Sequence, residues 1–396
     1  MTSPVVIHVL SLDTVGGVES LYVHFITEAL SRATARHYTS VCGKPPHKKF
    51  AAHFQKLGVK PFLEEHIMGL RLPKFLRGIA RLRRSMVHDI VKPTFWAFWN
   101  RIEDSPPPGE AVYYEHGAAW NVKVSKKRLN FLSHCSRYIA NSHAAALILQ
   151  EKWHISSPIT VIENPLRPDI CIVDTPKTIA SSHPIRLGFI GRLVPVKGLF
   201  VALHTLKTLI DRGVDASLFV AGVGQLEQAG KQRAAELGVS SSVIWKGCVD
   251  SVTEFYDSLD VLLVPSIREP LGLVALEAAA RGVPVIASSV DGLPEAVLDG
   301  KTGLCVPPTL TVTQAHDILV FDDMLPDLVV DPIARVIQAP KVVNPSHFAD
   351  AVERLVNDPA LYKAFSMQGL CHAKSRADFH SYFNALQNIL EYDKCS

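Results

Sequence analysis

Cysteine is scarce in this chain and widely scattered. The seven thiols, at Cys42, Cys135, Cys171, Cys248, Cys305, Cys371 and Cys395, are odd in number and never reach a C-x-x-C spacing. Neither a disulfide framework nor a zinc site is expected, and the thiols read as reduced. Long apolar runs are missing too, since Pro, Gly or a charge cuts each one well short of a membrane span. Residues 1–5 lack the basic stretch and apolar core of a secretion signal, which gives the expectation of a cytoplasmic protein. Charge of one sign is also lacking. Lys and Arg number 41 against 38 for Asp and Glu, an excess too small to imply nucleic acid as a partner. No G-x-G-x-x-G follows the first apolar run, and Gly222-Val223-Gly224 has no third glycine at the required offset, which argues against a dinucleotide cofactor.

What is present is a chain of 396 residues, 47% hydrophobic, that alternates strand-like and helix-like segments twice over. An apolar run at 5–11 leads through Gly16-Gly17 into a helical pattern with Val18, Leu21, Tyr22, Phe25, Ile26, Ala29 and Leu30 on one face. Further strands are expected at 38–42, 85–91, 111–115, 138–140 and 160–162. A second set runs through 185–190, 217–221, 243–246, 261–264 and 283–287, with a helix-sized segment after each. The fold class is therefore α/β, with two doubly wound parallel sheets expected to face each other across a deep cleft. The expected domains are 1–170, a linker at 171–184 rich in Pro, Asp, Thr and Ser, and 185–375, with a C-terminal helix at 376–396 packing back on the first domain. Residues 309–345 break the rhythm of the second domain and read as an insertion, either a functional loop or a disordered one.

The most informative stretch is Arg268-Glu269-Pro270-Leu271-Gly272-Leu273-Val274-Ala275-Leu276-Glu277. It follows a buried-type strand and opens a helix, so Glu269 belongs at the strand's carboxyl end. The backbone N–H groups of Leu273 and Val274 then lie at the helix's positive end, where an anion is favoured. Glu277 is expected about two turns into that helix, placed to accept hydrogen bonds from ligand hydroxyls. A plainer reading makes Glu269 a helix cap and Glu277 a solvated charge. Gly191-Arg192-Leu193-Val194-Pro195-Val196-Lys197-Gly198 also lies between strand and helix, with two cations suited to phosphate oxygens or else simply solvated. Gly16-Gly17 permits close approach of backbone to a ligand, or makes a tight turn. His116-Gly117 ends the strand at 111–115, so its imidazole is either structural or turned to a ligand. Asn141-Ser142 ends the strand at 138–140, and Ser142 suits an N-cap.

Taken together, these motifs resemble the retaining GT-B glycosyltransferases, specifically glycosyltransferase family 4, with the strongest likeness from Arg186 to Pro307. The resemblance implies a retaining hexosyltransferase that moves a sugar from a nucleoside-diphosphate sugar, UDP- or GDP-linked, to a glycan or lipid-linked acceptor, in bacterial-type surface polysaccharide synthesis. It makes Arg192 and Lys197 the diphosphate clamp and brings Glu269 and His116 to the transferred sugar. It assigns Glu277 to the ribose, and Gly16, Gly17, Leu273, Val274 and Glu295 to the donor. The chain has no D-x-D pair, which is consistent with a reaction needing neither metal nor cofactor. It departs from the family pattern at Asp291, where the Gly-Gly-x-Pro-Glu loop has its first glycine. That carboxylate is expected either to bind a hydroxyl or to alter donor choice. Val223 and Leu271 are further departures. Rival readings are a sugar-nucleotide epimerase or hydrolase on the same fold, and a catalytically silent nucleotide-sugar-binding subunit.

One segment stands apart from these motifs. Residues 71–86, read as a helix, put Lys74, Arg77, Arg81 and Arg84 on one face and Leu72, Phe75, Leu76, Ile79, Leu82 and Met86 on the other. Such a helix either lies on an anionic membrane surface, making the protein peripheral, or packs on the core with a solvated basic face.

Overall fold

A computed structural model describes residues 3–67, 70–71, 77–179, 184–319 and 325–391. The chain forms two compact units, one of residues 1–164 together with 380–396, the other of residues 165–379. Each is built on a parallel sheet with helical crossovers.

The first unit has a seven-stranded sheet of Val5–Leu10, Arg36–Val41, Phe62–Leu63, Phe95–Trp99, Ala111–Glu115, Arg137–Ala140 and Ile159–Val161. Numbered along the chain, these strands lie side by side in the order 3-2-1-4-5-6-7. The second unit has six, Ile185–Ile190, Ala216–Ala221, Val243–Gly247, Val261–Val264, Val285–Ser288 and Gly303–Val306, in the order 3-2-1-4-5-6. Both are doubly wound sheets whose order reverses between the first and fourth strands, and the crevice beyond the carboxyl ends there is where such folds bind ligands. In the second unit Leu187 pairs with Val261 across that switch point. Val261, Leu262, Leu263 and Val264 are all buried, as expected of a central strand covered on both faces.

Two expectations need correction. Residues 85–91 are not a strand but the last half of the helix Arg77–Val91. The apolar residues Met86, Val87, Ile90 and Val91 recur in pairs four apart, a helical spacing, and no residue alternation supports a strand there. The strand that fills that place in the sheet is Phe95–Trp99, buried throughout, whose Phe-Trp-Ala-Phe-Trp run shows no apolar-polar alternation. The strands Phe62–Leu63 and Gly303–Val306 lie outside the expected set.

The helix Phe379–Glu391 belongs to the first unit. Phe383 stacks on Phe25 with ring centroids 5.1 Å apart, and the Arg32 guanidinium lies 4.2 Å above the Phe383 ring. The Tyr114 hydroxyl donates to that of Tyr382 at 3.5 Å, and Arg137 donates to the Ile389 carbonyl. Stacked rings and a cation over a ring face add to what burial alone contributes.

The amphipathic reading of 71–86 is also corrected in part. Lys74, Leu72, Phe75 and Leu76, and the side chains of Arg77, Ile79 and Arg81, lie outside the described residues. Arg84 does not face solvent. It is buried, donating through Nε to Glu64 at 3.1 Å and lying 3.6 Å from Glu103, because a buried carboxylate is tolerable only beside a cation. Leu82, Met86 and Ile90 are exposed instead, at 62%, 52% and 78%.

Among the described residues the insertion is ordered rather than disordered. Leu310–Thr311 pairs with Lys341–Val342, and Val329–Asp331 with Val336–Gln338, both antiparallel. Six cysteines, all but Cys395, lie among the described residues, and all six are free thiols.

Candidate active site

In the second unit the first strand delivers its loop at Gly191–Gly198 and the neighbouring fourth strand delivers 265–272. Two loops leaving adjacent strand ends must run close, and Gly198 shows how close. It adopts φ 74°, and a Cβ there would fall 1.9 Å from the Pro265 carbonyl oxygen. Ile267 N–H donates to the Val196 carbonyl at 2.8 Å, locking one loop to the other. This contact brings together two residues singled out from sequence. Lys197 Nζ forms an ion pair with Glu269 Oε2, which Ser266 Oγ approaches at 3.4 Å. The pair borders a small cleft lined by Ile190, Val264, Ser266 and Val274. Arg192, in the same loop as Lys197, is exposed.

Beside the pair the helix Leu273–Ala280 begins at Gly272, which takes φ 94° and offers no side-chain cap. Leu273 and Val274 thus open the helix with its positive end uncapped by any side chain, the arrangement that favours an anion. Gly292 N–H donates to the Glu269 carbonyl at 3.1 Å, and a Cβ on Gly292 would fall 2.1 Å from the Pro270 carbonyl oxygen. Glu295, half-buried, lies in the short helix Leu293–Ala296 that follows.

Glu277 differs from expectation in two ways. It is the fifth residue of its helix, a little over one turn in rather than about two. It is also not a surface charge. Tyr256 OH donates to Oε2 at 2.8 Å and Arg167 Nε lies 3.3 Å from Oε1, so the carboxylate is buried and oriented from both sides. Burial raises its pKa, partly offset by Arg167 and by the Tyr256 hydroxyl. Neither partner was found from sequence. Arg167 lies in a segment without periodicity, and Tyr256 comes from the separate helix Val252–Asp257.

The expectation that Asp291 binds a ligand hydroxyl fails on geometry. Its side chain is fully buried, with Oδ2 accepting the Glu269 N–H at 2.9 Å and Oδ1 accepting the Val330 N–H at 2.7 Å. Its φ of 47° is left-handed, which explains why a glycine serves in the resembling loop and why Asp, one of the more tolerant side chains there, can replace it.

The first unit holds its candidates differently. Gly16 caps the helix Gly17–Arg32, and a Cβ on Gly16 would lie 2.5 Å from Glu19 Oε2. His116 is buried, its ring parallel to that of Trp99 at 5.9 Å and tilted against Tyr114 at 3.9 Å. Neither ring nitrogen has a hydrogen-bond partner among the described residues. Burial lowers its pKa to about 3, so the imidazole is neutral at physiological pH. Its backbone is fixed by residues that sequence reasoning missed. Asn100 Oδ1 accepts the His116 and Ala118 N–H groups at 3.1 and 2.7 Å, while Glu115 accepts from Gly117 and from Ala119. Ser142 is the N-cap expected of it, accepting the Ala145 N–H at 3.0 Å.

Comparison with known proteins bears on the second unit most directly. Residues 174–320 match the family model of glycosyl transferases group 1. A D-inositol 3-phosphate glycosyltransferase of Corynebacterium efficiens is 34% identical over 162 residues, 39% of this chain and 37% of that protein. An uncharacterized glycosyltransferase of Methanocaldococcus jannaschii is 38% identical over 122 residues, 30% of this chain and 31% of the other. These matches span about a third of the length of those curated relatives. Likeness of fold extends further. HepE of Anabaena, solved in complex with UDP and glucose, matches at a TM-score of 0.71 and 16% identity, covering 98% of this chain and 99% of that one. A glycosyltransferase from Rickettsia africae matches at 0.70 and 15% identity, covering 98% of both. The fold is GT-B. Within the GT-B fold, the Lys197–Glu269 pair sits at the switch point of the second sheet, inside the matched segment.

Proposed function

We propose that this chain is a retaining glycosyltransferase of the family 4 type, taking a nucleoside-diphosphate sugar as donor and a glycan or lipid-linked hydroxyl as acceptor. One observation carries the reading: the Lys197–Glu269 pair lies beside the uncapped start of the helix Leu273–Ala280, in the segment that matches the group 1 glycosyl transferases. A cation, a carboxylate and a helix N-terminus at one strand end suit a ligand that is a polyol at one end and a diphosphate at the other. HepE, solved with UDP and glucose, supports a UDP-sugar as the first donor to try.

As the bond from anomeric carbon to diphosphate oxygen lengthens, negative charge grows on the diphosphate, and Lys197 and Arg192 stabilise it. The acceptor oxygen forms its new bond to the same face of the sugar, and its proton passes to the departing diphosphate oxygen. Glu269 orients the sugar hydroxyls. Glu277, held by Tyr256 and Arg167, offers its carboxylate to the ribose. The roles of His116, Glu295, Gly16 and Gly17 follow the resemblance. Side-chain cations take the place of a metal, so EDTA should leave transfer intact. The surface for a peripheral membrane contact is the apolar row Leu82, Met86 and Ile90, and sedimentation with anionic vesicles at low salt tests it.

The deciding experiment is thermal stabilisation by a panel of UDP, GDP, ADP and dTDP sugars, followed by transfer assays with the donor that stabilises most. A transferred sugar with unchanged anomeric configuration is the expected result. Donor turnover without acceptor would favour an epimerase or hydrolase, binding without turnover a silent subunit, and no stabilisation by any donor would overturn the reading.

A further inference from the structure

The insertion 309–345 packs against the Glu269 loop and against the helix Leu199–Asp211 that follows the Lys197 loop. Ala315, Leu319 and Val342 bury themselves against Val201 and Ile267. Val201 lies four residues after Lys197, and Ile267 two before Glu269. On its other side Val329 is buried in the core with Ala287, Val290 and Leu293. Between these two anchors the Asp291 carboxylate bridges the peptide N–H of Glu269 to that of Val330, while Asp291 N–H donates to the Val330 carbonyl at 3.0 Å. The Glu269 peptide is thus gripped on both sides, by Asp291 at its N–H and by Gly292 at its carbonyl.

We propose that Asp291 is a positioning residue and the insertion an internal brace, so that the Val329–Asp331 strand holds the Glu269 backbone in place through a single shared carboxylate. A glycine at 291 would reach the same left-handed backbone and keep the main-chain bond to the Val330 carbonyl, but it would offer no acceptor to the Glu269 and Val330 N–H groups. A carboxylate is the group required, because two N–H donors converge on it and both its oxygens are acceptors. An Asn there would turn its amide N–H₂ toward one of the two donors.

This inference rests on the functional reading for its consequence in rate but not for its geometry, and two measurements keep the two apart. Hydrogen exchange across 266–272 should quicken in Asp291→Asn. It should also quicken in Val330→Pro, which removes the N–H donated to Asp291 and leaves the Asp291–Glu269 bond in place. In both variants kcat should fall about tenfold to a hundredfold, the scale of a small misplacement of a group that orients substrate. Stabilisation by UDP alone, which lacks the sugar, should be unchanged. Failure of wild-type protein to bind or transfer any donor would sink the functional reading while the exchange data still tested the brace. Folded Val330→Pro with wild-type exchange in 266–272 and wild-type kcat would overturn the brace itself.

Discussion

At the switch point of the second sheet the residues are ions, Lys197 against Glu269 with Arg192 exposed nearby. Beside the switch point of the first sheet, the first and fourth strands themselves carry rings. Trp99 ends the fourth strand of the first unit and donates through Nε1 to Nδ1 of His8, on the first strand, at 3.0 Å. His8 Nε2 then meets His37 Nδ1 at 3.0 Å, and with Nδ1 already accepting, Nε2 of His8 carries the proton. His116 stacks on the same Trp99. One topology therefore supports two chemistries, a charged loop pair and a neutral aromatic stack, which is why the strand order alone assigns no function.

The contrast is open to attack at several strengths. The largest effect expected is on stability in the first unit, where Phe383→Ala removes a buried ring stacked on Phe25 and should cost about 3–5 kcal/mol in urea denaturation. A loss below about 1 kcal/mol would mean the aromatic side of the comparison is wrong. In the second unit Lys197→Ala should leave the fold intact and lower kcat by roughly tenfold to a thousandfold, as removal of a preorganised charge stabiliser does. Unaltered turnover would strip the ion pair of its assigned role.

A smaller and sharper test uses pH. The His116 pKa is lowered to about 3, so as pH falls below its ordinary value of about 6.5 the unfolded chain takes up a proton that the folded chain refuses. Stability is therefore present above that value and lost as pH falls. From this one group the loss should be about 1.4 kcal/mol between pH 7.5 and 5.5. Burial drives His8 in the same direction. His116→Phe should flatten the dependence by that amount, and an equal slope in variant and wild type would show that the stack does not keep His116 neutral.

Much of the second unit was legible because its chemistry is local. Glu269 and Lys197 each stand in a loop directly after an apolar strand, so position along the chain nearly gives position in space. What escaped was the pairing across the chain: Tyr256 and Arg167 on Glu277, Val330 on Asp291, Glu64 around Arg84. None of these partners has a periodic or spacing signal, and each contact exists only once the sheet has been assembled. Arg84 is the clearest case. Its neighbours in sequence describe a basic helix face, while its actual surroundings are two acids from elsewhere in the chain. The aromatic wall of the first unit failed for a related reason, since a run such as Phe-Trp-Ala-Phe-Trp carries no period from which to read a face.

The helix Phe379–Glu391 imposes an order on biosynthesis. The second unit is continuous in the chain and can close as soon as it has left the ribosome, whereas the first must wait for residues made after it. At about 5–20 residues per second, the delay is on the order of ten seconds or more. Through that interval Phe25 lacks the Phe383 ring and Arg137 lacks the Ile389 carbonyl. The half of the protein that is translated first is therefore the half completed last, and until then the apolar surface that the helix Phe379–Glu391 covers stays open to water.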